Sequence, residues 1–419
     1  NQFFITDMTV YDNKLIVGGQ FAFGGFNAIA AWDGSNWLPL GAGFNGTVEA
    51  LEVHNGKLYA GGAFSNTGNN IAEWSGTIPG GSWNPSFPGL TGGIFNRVTS
   101  LLSTQQGLVA GGSFQIPANN IARWNGINWT NLGSSGINVP NTNSGGVHGL
   151  GLFNGTLIAG GVFSPPLNNI AQLTSNVWQN LGNGINLFIG NNGEGIKAIL
   201  QFDNNKLAVG GRFQEAVNAG NIVVANTQFI AQWDGNNWSS MSTGVNSSFE
   251  GIYDLIIHCG DLYAGGLFGS IGSSPITGVA HWDANSNSWL NVNNHSNVLI
   301  RALENFKPNS SNSCDLYSAG EVILNHLKCA TWNENPTASF FRVYPNPVNA
   351  NLILELDQEA VNELLVYIID INGKRTLFQK IAKGQSHSIL DLAELNKGVY
   401  MLEIRENNSK KWYQKVLKE

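Results

Sequence analysis

Charge is scarce in this 419-residue chain: Asp, Glu, Lys and Arg together make up 12% of it, where about 25% is usual. The basic residues gather in no patch or stripe, which argues against electrostatic binding of nucleic acid. No stretch approaches the ~18 consecutive apolar residues that would cross a membrane as a helix. Cysteine is nearly absent, with only Cys259, Cys314 and Cys329, so a disulfide scaffold is excluded. All three fall in the last two repeats described below; one local bridge in an oxidising compartment and three unpaired buried thiols both fit the spacing. The histidines (His54, His148, His258, His281, His295, His326, His387) show no metal-ligand spacing, and neither a calcium loop nor a nucleophile elbow is present. No cofactor, metal or catalytic set is therefore expected. The chain opens at Asn1 without Met, as after removal of a signal peptide or in a truncated chain.

Glycine is plentiful instead, with 52 residues, and it is periodic. Residues 108–133 read LVAGGSFQIPANNIARWNGINWTNLG: an apolar run ending in a Gly pair and Phe, an Asn-Asn-Ile-Ala-x-Trp run, a turn, and a second Trp. The pair recurs as Gly18-Gly19, Gly61-Gly62, Gly111-Gly112, Gly160-Gly161, Gly210-Gly211 and Gly265-Gly266, with Ala319-Gly320 as a seventh copy. The spacings are 43, 50, 49, 50, 55 and 54 residues. A period near fifty built from short strands is that of a β-propeller blade. The expected fold class is all-β: a seven-bladed propeller over residues 1–334 and a small sandwich after it.

Each copy reads as four strands; in the second they are 48–53, 57–64, 70–74 and a stretch around Trp83. The first two are joined at Asp12-Asn13, Asn55-Gly56, Asn154-Gly155 and Asn204-Asn205, residues that tolerate the positive φ of a type I′ hairpin. The last two are joined as tightly, at Asp33-Gly34, Asn125-Gly126 and Asp234-Gly235. The remaining connections carry all the length variation, as at 214–228, 269–278, 134–146 and 183–195, and they share the opposite face. Binding is expected on that face. The Gly pairs lie inside strands with no helix following, so they predict close backbone approach between blades rather than a phosphate cradle. Trp32, Trp74, Trp124, Trp233, Trp282 and Trp332 recur at one position and predict inter-blade packing. The seventh copy lacks a fourth strand. Either residues upstream of Asn1 supply it or that blade has three strands.

One position is not uniform. In the first, innermost strand the residue after the β-branched one varies by copy: Thr6, Glu49, Thr99, His148, Lys197, Tyr253, Arg301. The next residue is mostly small but is Asp7 and Asp254 in two copies. These seven residues are candidate ligand-binding groups ringing the mouth of a central channel; a solvated inter-blade layer is the other reading.

The Gly-Gly-x-Phe … Asn-Ile-Ala-x-Trp-Asp-Gly … Trp … Leu-Gly repeat resembles kelch-like propellers, and more closely the repeats of Rax2-like fungal cell-surface polarity proteins. It lacks the sialidase Asp-box and the Gly-His…Trp-Asp pattern of WD40 blades. Beyond residue 339 the composition changes: 10 basic and 18 acidic residues precede that point, and 11 and 10 follow it. We place a linker at 335–341 and a second domain at 342–419. There Tyr344-Pro345-Asn346-Pro347, the Asp370-x-x-Gly373-Lys374 turn, the Gly398-x-Tyr400 strand and the terminal Lys415 and Lys418 resemble the type A C-terminal sorting domain of the type IX secretion system of Bacteroidota. The resemblance implies transport across the outer membrane by a translocon and a shuttle β-barrel. It also implies cleavage by a sortase in the linker, with the product released or attached to surface lipopolysaccharide. The expectation is a secreted or surface-attached binding or adhesion module, not an enzyme, whose glycan or protein ligand is unnamed. The alternative is an extracellular polysaccharide lyase or hydrolase acting at the channel mouth.

Overall fold

The structure, a computed structural model, describes residues 3–418 except 94, 189–194, 204, 243–244, 247–250, 269, 272–277, 285, 293–298, 308–314, 321–324, 329–340, 345–347, 357–358, 371–374 and 407–409. Among the described residues all regular structure is β-strand. The chain divides into two compact units, Asn1–Ile256 with Leu262–Lys328, and Ile257–Asp261 with Cys329–Glu419.

The first unit is a succession of antiparallel meanders, six of four strands and then one of three, as a propeller would have. The second sheet is typical, with strands Thr47–His54, Lys57–Ala63, Ile71–Ser75 and Ser82–Trp83. Its first hairpin closes at Asn55 (φ 48°) and Gly56 (φ 72°), left-handed values that Asn and Gly adopt with little strain. Asp12, Asn13, Asn154 and Gly155 repeat this geometry; Asn204 lies outside the described residues. The second hairpin is longer than expected, because the cross-strand partners are Trp32 and Trp37, or Trp233 and Trp238, with four residues between them. An Asx turn holds those four: Asp33 Oδ1 accepts the amides of Ser35 and Asn36, each at 2.7 Å.

Apolar clusters lie between consecutive sheets. One joins Ile16, Val48, Leu58 and Trp74 across sheets one and two, and another joins Ile71, Val98, Leu108 and Trp124 across two and three. A further cluster unites Ile5, Met8 and Leu15 of the first sheet with Ala302, Phe306, Tyr317 and Ala319 of the seventh. The seventh sheet has three strands among the described residues, Ile300–Phe306, Asp315–Gly320 and Asn325–Lys328.

One expectation about packing needs correction. The Gly pairs do not bring two neighbouring backbones together between sheets. A Cβ on the first glycine would meet the β-branched side chain of the following sheet, Val48 at 2.5 Å from Gly18 and Val98 at 2.6 Å from Gly61. A Cβ on the second would strike a carbonyl of its own sheet's first strand, Phe4 for Gly19 and Thr47 for Gly62. The third-strand Trp residues do enter the clusters between sheets, as Trp74 and Trp124 show, and they also pack against the fourth-strand Trp of their own sheet: ring centroids are 5.2 Å apart for Trp74–Trp83 and 5.1 Å for Trp282–Trp289. The fourth-strand Trp adds a polar link between sheets. Trp83, Trp129, Trp178 and Trp238 donate Nε1–H to the carbonyls of Leu40, Pro88, Leu132 and Leu181, at 2.9–3.0 Å. Trp332 lies outside the described residues.

The repeated Asn-Asn gains a role that its sequence does not announce. The second Asn holds positive φ, 63° at Asn120 and 64° at Asn169. Its side chain accepts the amide of Phe114 or Phe163 and donates to the carbonyl of Ile137 or Ile185. It thereby pins the variable connections. One of them, within 214–228, folds into Glu215–Asn218 and Ile222–Val224, the first of which pairs with both Ile185–Asn186 and the second.

In the second unit, one sheet contains Phe341–Tyr344, Asn351–Leu356 and His387–Asp391, and the other Arg375–Ile381, Leu364–Ile369, Gly398–Glu406 and Lys410–Lys418. Leu352, Leu354, Val366, Ile368, Leu402, Ile404 and Val416 fill one core between them, the arrangement of a β-sandwich. Tyr344 is exposed, whereas Tyr400 is buried and its hydroxyl donates to Asn396 O at 2.9 Å. Gly398 pairs with Lys418 and Met401 with Lys415. Asp370 is half-buried. Pro345, Asn346, Pro347, Gly373, Lys374 and linker residues 335–340 lie outside the described residues. Cys259 is disulfide-bonded; Cys314 and Cys329 also lie outside them.

Candidate ligand-binding site

The Gly pair has a second consequence. Opposite it, the first strand carries one residue too many. In the second sheet Val48 faces Gly62 and Ala50 faces Gly61, so Glu49 is left over as a β-bulge. The same shift isolates Thr6, Thr99, His148, Lys197 and Arg301 in their sheets. Bulges bend a strand and re-aim its side chains. Here the bulge turns two successive residues to one side: Thr6 with Asp7, Glu49 with Ala50, Thr99 with Ser100, and Lys197 with Ala198 line the same space, as do Tyr253 and Asp254 of the sixth sheet. The glycines permit it, since a Cβ on the second of the pair would collide with the bulged strand.

That space is a cavity of about 440 Å³ to which all seven first strands contribute, within the size range of small-molecule sites. The structure thus brings Thr6, Glu49, Thr99, His148, Lys197, Tyr253 and Arg301 together around it. It adds Phe4, Gln20, Thr47 and Arg97, which the repeat comparison missed because they precede or oppose the variable position. Several of these groups also bind the sheets together. Thr6 and Thr99 donate their hydroxyls to the carbonyls of Val48 and Val147 in the following sheets. The His148 ring donates from Nε2 to Ser144 O at 2.9 Å. Arg97 lies 3.9 Å from Glu49 and donates to Asn143 O at 2.7 Å.

The cationic side has a different construction. The Arg301 guanidinium sits between two aromatic faces, 4.9 Å from the ring centroids of both Phe4 and Tyr253. Lys197 Nζ lies 5.8 Å from the Tyr253 ring centroid. Such contacts stabilise a cation through the ring quadrupole.

Two carboxylates, Asp7 and Asp254, line the cavity. Asp7 accepts the amides of Met8 (2.8 Å) and Leu51 (2.6 Å); Asp254 accepts those of Leu255 and Leu303 (both 2.7 Å). Each clasps its own sheet to the next. Two residues further along, Glu52 accepts from Val53 and Glu304 from Asn305. Burial pushes Asp7 well above the usual carboxylate range, Glu52 and Asp254 up to about 7, and Glu304 up to about 8. Mutual repulsion adds to the effect at Asp7 and Glu304. Glu52 and Glu304 were missed in the sequence: on a half-buried strand each looks like an ordinary solvent-facing alternate. Among the described residues no three His, Cys, Asp or Glu side chains converge as metal ligands.

Residues 342–419 match the secretion system C-terminal sorting domain family. An endo-acting ulvan lyase from Formosa agariphila is 29% identical over 80 residues, 19% of this chain and 15% of that protein, so the match spans a small part of that relative's length. Among solved structures, the extracellular domain of a one-component system from B. thetaiotaomicron aligns at 12% identity and a TM-score of 0.32, over 99% of this chain and 68% of the other. The extracellular domain described as that of a hybrid two-component system from the same organism gives 11%, 0.33, 99% and 69%. Similarity at this level carries no argument about fold or activity. The sorting domain does: it marks the protein as type IX secretion cargo, secreted or attached at the outer-membrane surface. No helix among the described residues is long and apolar enough to cross a membrane.

Proposed function

We propose that residues 1–334 form a closed seven-bladed, kelch-like propeller that is displayed outside the cell and binds a small polar ligand in the central cavity without catalysis. In this reading the cluster joining the first and seventh sheets closes the ring. The tail is handed from the translocon to a shuttle β-barrel and a sortase, with the exposed Tyr344 in the recognition motif. One observation carries the binding reading: the seven non-uniform positions of the repeat, scattered over about 300 residues, line one cavity. A scaffold that needed only packing there would have no reason to vary them together.

The raised carboxylates of the cavity favour a second reading, a lyase or hydrolase using Asp7 or Asp254 as acid or base. Their oxygens, however, are engaged by main-chain amides of two sheets, a structural use that leaves little freedom for proton transfer to a substrate. A glycan and polysaccharide array probed with the full chain, scored for both retention and product release, tests the proposal. Retention without release, lost when Lys197 and Tyr253 are changed to Ala, is expected. Product release would transfer the site to the enzyme reading, and retention unaffected by those substitutions would remove the ligand from the cavity.

A further inference from the structure

Building on the proposed binding role, we infer that the cavity selects an acidic sugar and that Arg301 receives its carboxylate. Arg301 is unlike the other cation for which the cavity geometry is complete. Arg97 has Glu49 and the Asn143 carbonyl as partners. Arg301 lies against the faces of two aromatic rings and has, among the described residues, neither an ion pair nor a hydrogen-bond acceptor; its Nε is buried without one. Contact with ring faces consumes no N–H donor, so the guanidinium fork that matches a carboxylate is unspent. The cavity carboxylates do not serve it, because Asp7 and Asp254 direct their oxygens to main-chain amides. Lys197, against the same Tyr253 ring, places a second positive charge in that wall. The rest of the lining supplies oxygen acceptors and donors in Thr6, Thr47, Thr99, Ser100 and Gln20. Thr6 and Thr99 spend their protons on carbonyls, so their lone pairs remain to accept from ligand hydroxyls. A ring of hydroxyls bearing one carboxylate meets both requirements, and the volume suits one or two sugar residues.

The test titrates the full chain with glucuronate, galacturonate, glucose and galactose at constant ionic strength, following ligand-detected NMR, for wild type, Arg301→Met and Arg301→Lys. Met keeps an unbranched apolar stem between the two rings, and an unchanged melting temperature shows that the fold is kept. A uronate should bind roughly tenfold or more tightly than its neutral counterpart, and Arg301→Met should abolish that preference. Arg301→Lys should recover only part of it, because a point charge cannot replace the fork. Equal binding of neutral and acidic sugars would overturn the inference while leaving the cavity a binding site. Uronate preference that survives in Arg301→Met would also overturn it. Failure of all four sugars to bind would remove both this inference and the small-ligand reading beneath it.

Discussion

Replacing Glu304 by Gln isolates the electrostatics of the buried carboxylates. Burial, with the neighbouring carboxylates Asp254, Asp7 and Glu52 adding repulsion, raises this group from 4.5 to about 8. The folded state therefore holds a proton that the unfolded chain has released between those two values. Stability falls as pH rises through that window, and the full loss is present above the folded value. A shift of this size corresponds to at most ~5 kcal/mol at ~1.4 kcal/mol per unit. Glu304 is half-buried as a residue and the repulsion is shared among four carboxylates, so about 2 kcal/mol is the expected effect of one substitution. Gln keeps the acceptor for the Asn305 amide and cannot ionise. Calorimetric melting of the full chain should then show Glu304→Gln raising the propeller transition by roughly 4 °C at pH 9 and leaving it nearly unchanged at pH 5. The exposed Glu363, paired with Lys380 at 2.9 Å, provides the control, since Glu363→Gln should shift little at either pH. An equal gain for Glu304→Gln at pH 5 and pH 9, or a loss at pH 9, would refute the argument, because neither outcome can come from a proton bound only by the folded state.

Other substitutions probe the packing between sheets and the export signal. Gly61→Ala places a methyl group 2.6 Å from Val98 Cγ1 and should destabilise by about 1–3 kcal/mol in chemical denaturation, with Val98→Ala in the same chain recovering part of the loss. Trp129→Phe keeps most of the contact with Trp124 but removes the bond to Pro88 O; about 1 kcal/mol should be lost, read as a lowered melting temperature. Deleting residues 342–419 should leave the protein in the periplasm, as followed by cell fractionation, because the sorting domain is gone.

Much of the scaffold could be anticipated because its signals are local. A type I′ hairpin needs two consecutive positive φ values, and Asp12-Asn13 or Asn55-Gly56 supply them wherever they stand between apolar runs. The seven variable positions could be found because a repeat turns one residue's identity into a comparison among copies. What escaped depends on pairing. A bulge is a mismatch in count between two strands, and nothing in Thr47–His54 taken alone says that Glu49 has no partner across from it. Once the bulge is present, alternation is reset, and Glu52 and Glu304 fall on the side of Asp7 and Asp254 rather than on the side that strict alternation would suggest. The tethers from Trp83, Trp129, Trp178 and Trp238 to the preceding sheet were hidden for the same reason, since each acceptor is a main-chain carbonyl 41–57 residues away that no side chain advertises.

The most uniform feature of the repeat thus produces its least uniform one. The first glycine of each pair receives the Val or Ile of the next sheet, and the second makes room for the bulged strand; neither requirement involves the side chain of the bulged residue itself. That side chain borders the cavity, outside the apolar clusters that dictate its neighbours. Thr6 and Thr99 use this place to tie their sheet to the next, while Arg301 meets only aromatic faces, so Thr, Glu, His, Lys, Tyr and Arg can coexist around one cavity. The separation explains how a chain so poor in charge gathers Arg97, Lys197 and Arg301 around one cavity. It also implies that the proposed ligand can be changed by substitution at the bulges, with the packing between sheets left standing.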